Sequence, residues 1–303
     1  MSVFNINEFN KEVFVTQNMT QVTYWKGVVI PGSRVPGGDL SEFSNVPTDQ
    51  SLDSLSGHFR IFQYKSGHRY STDDLLVAWF GTTYAPRAER VLDLGSGIGS
   101  VAMVAAWRLA QAQFVTVEAQ EISVALARKS ARYNGIENRM DQRTGDFRTP
   151  GLLRAGESFD LILGSPPYFP LESGLHADHE QKVACRFEVR GTIADYAQVA
   201  SEHLAHGGVF ACVFPIEPPH QLERVWDAAR DAGLAVIRFR KVVLKEGEPP
   251  LLGLFLMMRQ SDVHESMRSG VFFEDAPLII RTAAGQIHPE YSLVKMSIGF
   301  HPF

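Results

Sequence analysis

The clearest indication of the fold class is the sequence Val91-Leu92-Asp93-Leu94-Gly95-Ser96-Gly97-Ile98-Gly99-Ser100. An apolar run that contains an acid at its end is typical of a buried parallel strand. The three glycines allow a sharp turn and let the backbone approach a ligand closely before a helix begins. The dinucleotide-binding fingerprint requires Gly or Ala at position 100, where this chain has Ser100, and it requires no acid before the first glycine. The pattern Asp-x-Gly-x-Gly-x-Gly therefore indicates a different nucleotide-type binding turn.

With 303 residues the chain can hold one large α/β domain and appendages, and the 45% of its residues that are hydrophobic suffice for the core of a globular protein. We find neither an apolar run of about 20 residues nor a signal peptide, so we expect a cytoplasmic protein without a membrane span. Cys185 and Cys212 have no partner at metal-binding spacing, and we expect neither a metal site nor a disulfide. The net charge of -5 argues against a protein that coats nucleic acid non-specifically.

Two further predicted strands end beside residues that could bind a ligand. Residues 114–117 are followed by Glu118, about 20 residues beyond the glycines, where such folds accept hydrogen bonds from ribose hydroxyls. Residues 159–164 are followed by Ser165-Pro166-Pro167-Tyr168, whose prolines stiffen the loop and leave the Pro166 carbonyl without a competing local donor. Taken alone, the acid could be a solvated loop residue and the prolines a structural turn. Together they predict a ligand site at the carboxyl edge of an open sheet.

The chain divides, on composition, into an N-terminal extension and a larger domain. Residues 31–57 are rich in Gly, Pro, Ser and Asp, which predicts a flexible linker. We therefore assign residues 1–57 to the extension and residues 58–303 to the domain. Near the end of the chain, the strands predicted over residues 234–244 and 251–258 have no helix between them and must pair antiparallel.

From residue 58 to residue 300 the chain resembles the tRNA adenine N6-methyltransferase group of the small-domain methyltransferases, which belong to class I S-adenosylmethionine (SAM)-dependent enzymes. Residues 1–57 have no recognised counterpart. The resemblance rests on Thr72-Asp73-Asp74-Leu75-Leu76, Asp93-x-Gly-x-Gly-x-Gly, Glu118, Asp146-Phe147, Pro166-Pro167-Tyr168, Arg186-Phe187-Glu188 and Gly207-Gly208. The family also includes protein-glutamine methyltransferases with the same proline loop. It has Asn or Asp at the position of Ser165.

The resemblance implies a Rossmann-like α/β fold with a mostly parallel seven-stranded sheet, one antiparallel strand and helices on both faces. It implies SAM as the cofactor and no metal. Asp146 would receive the adenine amino group and Phe147 would pack on the adenine ring. The residues it assigns to cofactor binding are Thr72, Asp93, Gly95, Gly97, Gly99, Glu118, Asp146, Phe147 and Ser165.

The proline loop, Ser165-Pro166-Pro167-Tyr168, would carry the chemistry. An exocyclic nitrogen is a poor nucleophile because its lone pair is delocalised, and acceptors for both of its N–H groups direct the lone pair at the methyl. In the family these acceptors are the Asn side chain and the carbonyl of the first proline, here Pro166. Tyr168 would stack on a flipped base, a contact worth about 1–3 kcal/mol. Ser165 can also accept a hydrogen bond, but its hydroxyl is shorter than an Asn amide and also donates.

The resemblance favours a SAM-dependent N-methyltransferase that acts on the N6 of an adenine in RNA, in particular tRNA. Two alternatives remain open: methylation of a small metabolite or a protein amide, and a SAM-binding module without catalysis. Two basic groups could meet RNA phosphates, Lys182, Arg186 and Arg190 near the site and Arg238, Arg240 and Lys241 farther on. For the second group, solvated surface charges explain the sequence equally well. The methyl acceptor and the oligomeric state stay open at this point.

Overall fold

The structure is a computed structural model that describes residues 45–168, 191–265 and 271–300, and the backbone of residues 23–25 and 28–30. The chain forms two compact units, Met1–Ile30 and Pro31–Phe303. In the first unit, strands β1 (Thr23–Trp25) and β2 (Val28–Ile30) pair antiparallel. The second unit contains the glycine turn and the proline loop.

The second unit is built on a sheet whose strand order is β12-β10-β11-β9-β8-β5-β6-β7. Strand β11 is antiparallel to both of its neighbours, β9 and β10, and the other adjacent pairs are parallel. The strands are β5 (Arg90–Leu94), β6 (Gln113–Glu118), β7 (Met140–Thr144), β8 (Phe159–Gly164), β9 (Leu204–Pro215), β10 (Leu234–Lys245), β11 (Leu252–Arg259) and β12 (Phe273–Arg281). The predicted α/β class and the single antiparallel strand are confirmed.

The sheet has eight strands where seven were predicted, because β12 adds to the edge beside β10. This strand carries Pro277, and most of its residues are exposed or half-buried. Proline is tolerated at a sheet edge because one side of an edge strand needs no ladder donor. A half-exposed strand with a proline lacks the apolar pattern by which the other strands are recognised.

Helices cover both faces of the sheet, as predicted. They are α1 (Thr72–Tyr84), α2 (Ser100–Arg108), α3 (Glu121–Tyr133), α4 (Ile193–His203), α5 (His220–Asp231) and α6 (Pro289–Ser297). Gly81 of α1 lies directly against Ala211 of β9. Ala197 of α4 shares a buried cluster with Phe210 and Cys212, the residues on either side of Ala211. Since successive strand residues point to opposite faces, α1 and α4 lie on opposite faces of the sheet.

A two-stranded hairpin precedes the first helix of this unit. Strands β3 (Gln50–Ser56) and β4 (Phe59–Tyr64) pair antiparallel, and Leu55 of β3 is fully buried. The Ser56 hydroxyl donates to the Ile298 carbonyl, and the Gly57 N–H donates to the Gly299 carbonyl at 3.1 Å. The boundary predicted between residues 57 and 58 falls in the turn of this hairpin. Because β3 is paired and packed, we expect the folding unit around the sheet to begin before β3.

Candidate active site

A cavity of about 540 Å³ opens at the carboxyl edge of β5, β6 and β8. In open α/β sheets this edge collects the loops that follow the strands, so residues distant in sequence meet there. Ten of the predicted site residues line the cavity: Asp93, Gly95, Gly97, Glu118, Asp146, Phe147, Ser165, Pro166, Pro167 and Tyr168. The structure thus brings the glycine turn and the proline loop to one cavity.

Two predicted cofactor residues, Thr72 and Gly99, do not line this cavity. Thr72 begins α1 and makes a side-chain hydrogen bond with Tyr291 of α6. Gly99 is the N-cap of α2 and has a left-handed φ of 84°. A side-chain carbon at this position would lie 3.2 Å from the Cβ of Ala127. Gly99 therefore allows the close packing of α2 on α3, and Thr72 ties α1 to α6.

Asp93, the acid before the glycines, connects β5 to α2. Its side chain is 1% exposed, and Oδ2 accepts a hydrogen bond at 3.0 Å from the Ala102 N–H in the first turn of α2. A carboxylate is favourable at a helix N-terminus because the first N–H groups have no partner within the helix. Burial raises the pKa of Asp93 well above its usual value, and the nearby charges of Asp74 and Glu118 raise it further.

Glu118, at the end of β6, holds the glycine turn. Its Oε2 accepts from the Gly97 N–H at 3.0 Å and its Oε1 accepts from the Gln120 N–H at 2.7 Å. The residue is 8% exposed and faces the cavity. A carboxylate that faces a cavity can accept hydrogen bonds from the hydroxyl groups of a ligand.

Asp146 and Phe147 lie together on the loop after β7. Asp146 forms an ion pair with Arg148, whose Nε and Nη2 lie 2.9 Å from Oδ1 and 2.6 Å from Oδ2. Phe147 is buried and packs edge to face against Tyr196 of α4, with ring centroids 4.7 Å apart. The ion pair therefore joins two residues of the same loop.

The proline loop is fixed through Tyr168. The Tyr168 hydroxyl donates to Oδ2 of Asp73 at 2.6 Å, and its ring packs edge to face on Phe214 with centroids 5.8 Å apart. Burial raises the pKa of Tyr168 well above its usual value, and the Asp73 carboxylate raises it further. A side-chain hydrogen bond with Ser165 lowers the pKa of Tyr168 in part. The ring and hydroxyl of Tyr168 are therefore held from several sides.

Two residues without a predicted role stand at the cavity wall, Asp73 and Tyr196. Asp73 was part of the quoted Thr-Asp-Asp motif, but nothing in the sequence indicates that it meets Tyr168. Tyr196 lies on α4, and a side-chain carbon added at Gly95 would come within 2.0 Å of its hydroxyl. A tyrosine on a predicted helix carries no signal of this contact, because only the packing of α4 on the sheet creates it.

Two groups of basic residues were predicted as candidates for contact with RNA phosphates. Lys182, Arg186 and Arg190 lie outside the described residues, as does Cys185. Arg238 pairs with Asp275, and Arg240 pairs with Glu290. Lys241 lies 2.8 Å from Glu274. Because each of these three cations has a carboxylate partner, the positive charge of the second group is largely neutralised. This favours the interpretation that the three residues are surface charges and not contacts for RNA phosphates.

Lys65, His68 and Arg69 also border the cavity, on the loop between β4 and α1. Lys65 donates to the Thr48 carbonyl at 2.8 Å, and Arg69 pairs with Asp53 at 3.0 Å.

Within the described parts of the chain, no helix has the length and apolarity to cross a membrane. The same described residues include no group of three His, Cys, Asp or Glu side chains arranged to hold a metal ion.

Comparison with known proteins gives a consistent result. Residues 71–219 match the family model of the methyltransferase small domain. A tRNA1(Val) (adenine(37)-N6)-methyltransferase of Porphyromonas gingivalis is 32% identical over 161 residues, which cover 52% of this chain and 62% of that protein. The match thus spans less than two thirds of the P. gingivalis protein. A relative of the same description from Haemophilus influenzae is 27% identical over 207 residues, which cover 68% of this chain and 84% of that protein.

A solved structure shares the fold. A predicted O-methyltransferase of Agrobacterium tumefaciens superposes with a TM-score of 0.57 at 20% sequence identity. The match covers 76% of this chain and 98% of that protein. At this identity the likeness shows the architecture of the sheet and its helices.

Proposed function

Because the chain belongs to the SAM-dependent methyltransferases that carry the methyltransferase small domain, we propose that it methylates the exocyclic N6 of an adenine in tRNA. The observation that carries this proposal is the meeting of two predicted elements in one cavity. The glycine turn with Glu118 and the loop Ser165-Pro166-Pro167-Tyr168 both line this cavity. The relatives from P. gingivalis and H. influenzae, both described as tRNA adenine N6-methyltransferases, support the same substrate class.

The residues at the glycine turn fit SAM, which supplies an electrophilic methyl group on a sulfonium. The cavity volume of about 540 Å³ lies within the range of small-molecule sites, roughly 300–1,000 Å³. A side-chain carbon at Gly97 would meet no atom within 4 Å, so the backbone here leaves open space for a ligand. Glu118 and Phe147 both line the cavity, where a carboxylate can accept hydrogen bonds from ribose hydroxyls and an aromatic ring offers an apolar surface.

The proline loop would orient the amine. Pro166 and Ser165 both line the cavity. The carbonyl of Pro166 and the hydroxyl of Ser165 would accept the two N–H groups of an exocyclic nitrogen. Acceptors placed in this way stabilise the nitrogen more as it becomes tetrahedral than in its planar ground state. The Tyr168 ring, held by Phe214 and Asp73, would support the flat base. Binding of the two reactants in one cavity supplies the remaining acceleration through proximity.

The test is incubation of the protein with methyl-labelled SAM and, separately, unmodified tRNA transcripts, a protein extract and a metabolite extract. We expect label in tRNA and, after digestion, in N6-methyladenosine. Tyr168→Ala is the matched variant, since loss of the ring should lower transfer to tRNA. Label found only in protein or only in metabolites would show that the methyl acceptor is a protein amide or a small metabolite instead of adenine. Tight SAM binding without transfer to any pool would favour a SAM-binding module.

A further inference from the structure

The guanidinium of Arg148 holds both oxygens of the Asp146 carboxylate. Its Nε lies 2.9 Å from Oδ1 and its Nη2 lies 2.6 Å from Oδ2, and the Arg148 backbone N–H also donates to Oδ1 at 2.9 Å. A planar guanidinium that bonds both oxygens fixes the orientation of a carboxylate, which a single hydrogen bond does not. Asp146 lines the cavity and Arg148 does not, so the arginine fixes the carboxylate without occupying the cavity.

Arg148 is itself anchored on α4. Its Nη1 lies 3.9 Å from Oδ2 of Asp195, in the first turn of that helix. Asp195 is fixed by the capping box, since Oδ2 accepts from the backbone N–H and the hydroxyl of Thr192 at 2.7 and 2.9 Å. Phe147 packs on Tyr196, the residue after Asp195. Two consecutive residues of the loop after β7 thus contact two consecutive residues of α4.

The order of the strands indicates which part of SAM lies at Asp146. The neighbouring strands β8-β5-β6-β7 arrange the proline loop, the glycine turn, Glu118 and Asp146 in a row along one edge of the sheet. The methyl group must lie at the proline loop, and Glu118 is the acceptor for the ribose. The adenine of the same molecule therefore extends towards the loop after β7, where Asp146 lines the cavity.

A carboxylate at this place can distinguish purines by the group on ring carbon 6. An ionised carboxylate only accepts hydrogen bonds, and the 6-amino group of adenine is a donor. A 6-oxo purine presents an acceptor oxygen there instead, with a donor N–H at the neighbouring ring position N1. A carboxylate fixed towards the 6-substituent meets the oxo group, whereas a carboxylate that is free to rotate can turn to the N1–H. The selectivity therefore depends on what fixes the carboxylate.

We infer that Arg148 is a positioning residue that directs the Asp146 carboxylate at the 6-amino group and so makes the cofactor site selective for adenine. Arg148 acts through Asp146 and does not contact the cofactor. Its anchor on Asp195 holds the pair against the first turn of α4. The inference concerns the cofactor alone, so it goes beyond the methylation of tRNA and does not depend on the identity of the methyl acceptor.

Isothermal calorimetry with two ligands tests this role: S-adenosylhomocysteine and its 6-oxo counterpart, S-inosylhomocysteine. We expect the parent protein to bind the adenosyl ligand about 10- to 100-fold more tightly, which corresponds to one hydrogen bond to a charged group. Arg148→Ala should weaken binding of the adenosyl ligand about 5- to 20-fold and change binding of the inosyl ligand by less than about 2-fold. Arg148→Lys keeps the charge without the planar fork, and its ratio of affinities should lie between the two.

Two further variants serve as references. In the Asp146→Ala background, the two ligands should bind within about 2-fold of each other, whether residue 148 is arginine or alanine. Arg230→Ala is the control, because Arg230 also pairs with nearby carboxylates, those of Asp227 and Asp231, and does not line the cavity. This variant should bind both ligands as the parent protein does. The Arg148 side chain is 40% exposed, so its removal should leave the thermal unfolding midpoint nearly unchanged.

The ratio of the two affinities decides the inference. Equal weakening of both ligands in Arg148→Ala would show that the arginine only supports the loop, and would overturn the inference. Tighter binding of the adenosyl ligand in this variant would also overturn it, because the ion pair would then compete with the cofactor. A parent protein that does not distinguish the two ligands would show that Asp146 does not contact the 6-amino group, with the same consequence. Absence of methyl transfer to tRNA would instead contradict the proposed function and leave these binding results unaffected.

Discussion

The carboxylate of Glu118 holds the backbone of Gly97, with 3.0 Å between Oε2 and the Gly97 nitrogen. The two residues are 21 positions apart: Gly97 lies on the loop after β5, and Glu118 lies at the end of the neighbouring strand β6. This bond fixes the glycine turn from the side of β6. A ligand bound at Glu118 would therefore meet a turn that is already in place.

We expect Glu118→Ala to weaken SAM binding by about 1–3 kcal/mol, because both the charged acceptor for the ribose and the support of Gly97 are lost. Isothermal calorimetry of the purified protein measures this change. Glu121→Ala, which removes an exposed acid three residues later in α3, is the control and should leave the affinity unchanged. Unchanged SAM affinity in Glu118→Ala would contradict the ribose assignment.

Substitution of Gly95 and of Gly97 by alanine tests how closely the cavity wall is packed. Both have left-handed φ angles, 63° and 53°, so alanine is strained at either position. A side-chain carbon at Gly95 would also overlap the Tyr196 hydroxyl, whereas one at Gly97 would meet nothing within 4 Å. We expect Gly95→Ala to lower the thermal unfolding midpoint more than Gly97→Ala does. Tyr196→Phe should recover part of the stability lost in Gly95→Ala, and absence of any recovery would show that the overlap is relieved elsewhere.

The ion pair of Arg143 with Glu157 predicts a pH-dependent stability. Both guanidinium nitrogens bond the carboxylate, at 2.7 and 2.8 Å, and lower the pKa of Glu157 from 4.5 to about 2. A carboxyl whose pKa is lower in the folded state contributes stability above its unfolded pKa, and this contribution is lost as pH falls from about 4.5 to about 2.

We therefore expect Glu157→Gln to reduce the free energy of unfolding by about 1–3 kcal/mol at pH 7, with a smaller reduction at pH 3. Urea unfolding at the two pH values measures the difference. Asp141→Asn is the control, since Asp141 pairs with the same arginine but is 52% exposed and should contribute less than about 1 kcal/mol. A reduction that is the same at pH 7 and pH 3 would contradict the linkage.

Truncation tests where the folding unit begins. We expect removal of residues 1–44 to leave a cooperative thermal transition and SAM binding, because the paired hairpin starts at Gln50. Removal of residues 1–57 should destabilise the protein strongly, since it deletes β3 with the fully buried Leu55 and the Ser56 bond to Ile298. A stable, SAM-binding protein after the longer truncation would support the boundary at residue 57 that composition suggests.

The sequence predicted the fold well where each strand carries its own apolar run. Asp93 with its glycines and the residues after β8 could be placed at one sheet edge, because parallel strands bring their carboxyl ends together. Strand β12 was not predicted, because its exposed residues and Pro277 obscure the apolar pattern of a strand. Strand β3 was not predicted either, because residues 31–57 have the composition of a linker. A short strand in which Leu55 is the buried apolar residue resembles a polar linker in sequence.

The α/β class, the antiparallel pair near the end of the chain, the glycine turn and the set of loops that meet at the cavity could be predicted from the sequence alone, since these follow from local patterns and parallel-sheet geometry. The tertiary structure decided which groups touch within that set. Asp73 meets Tyr168 and Tyr196 meets Gly95 only because α1 and α4 pack on the sheet at particular positions. Such contacts join residues far apart in the chain. Their partners are therefore chosen by packing, which no local pattern records.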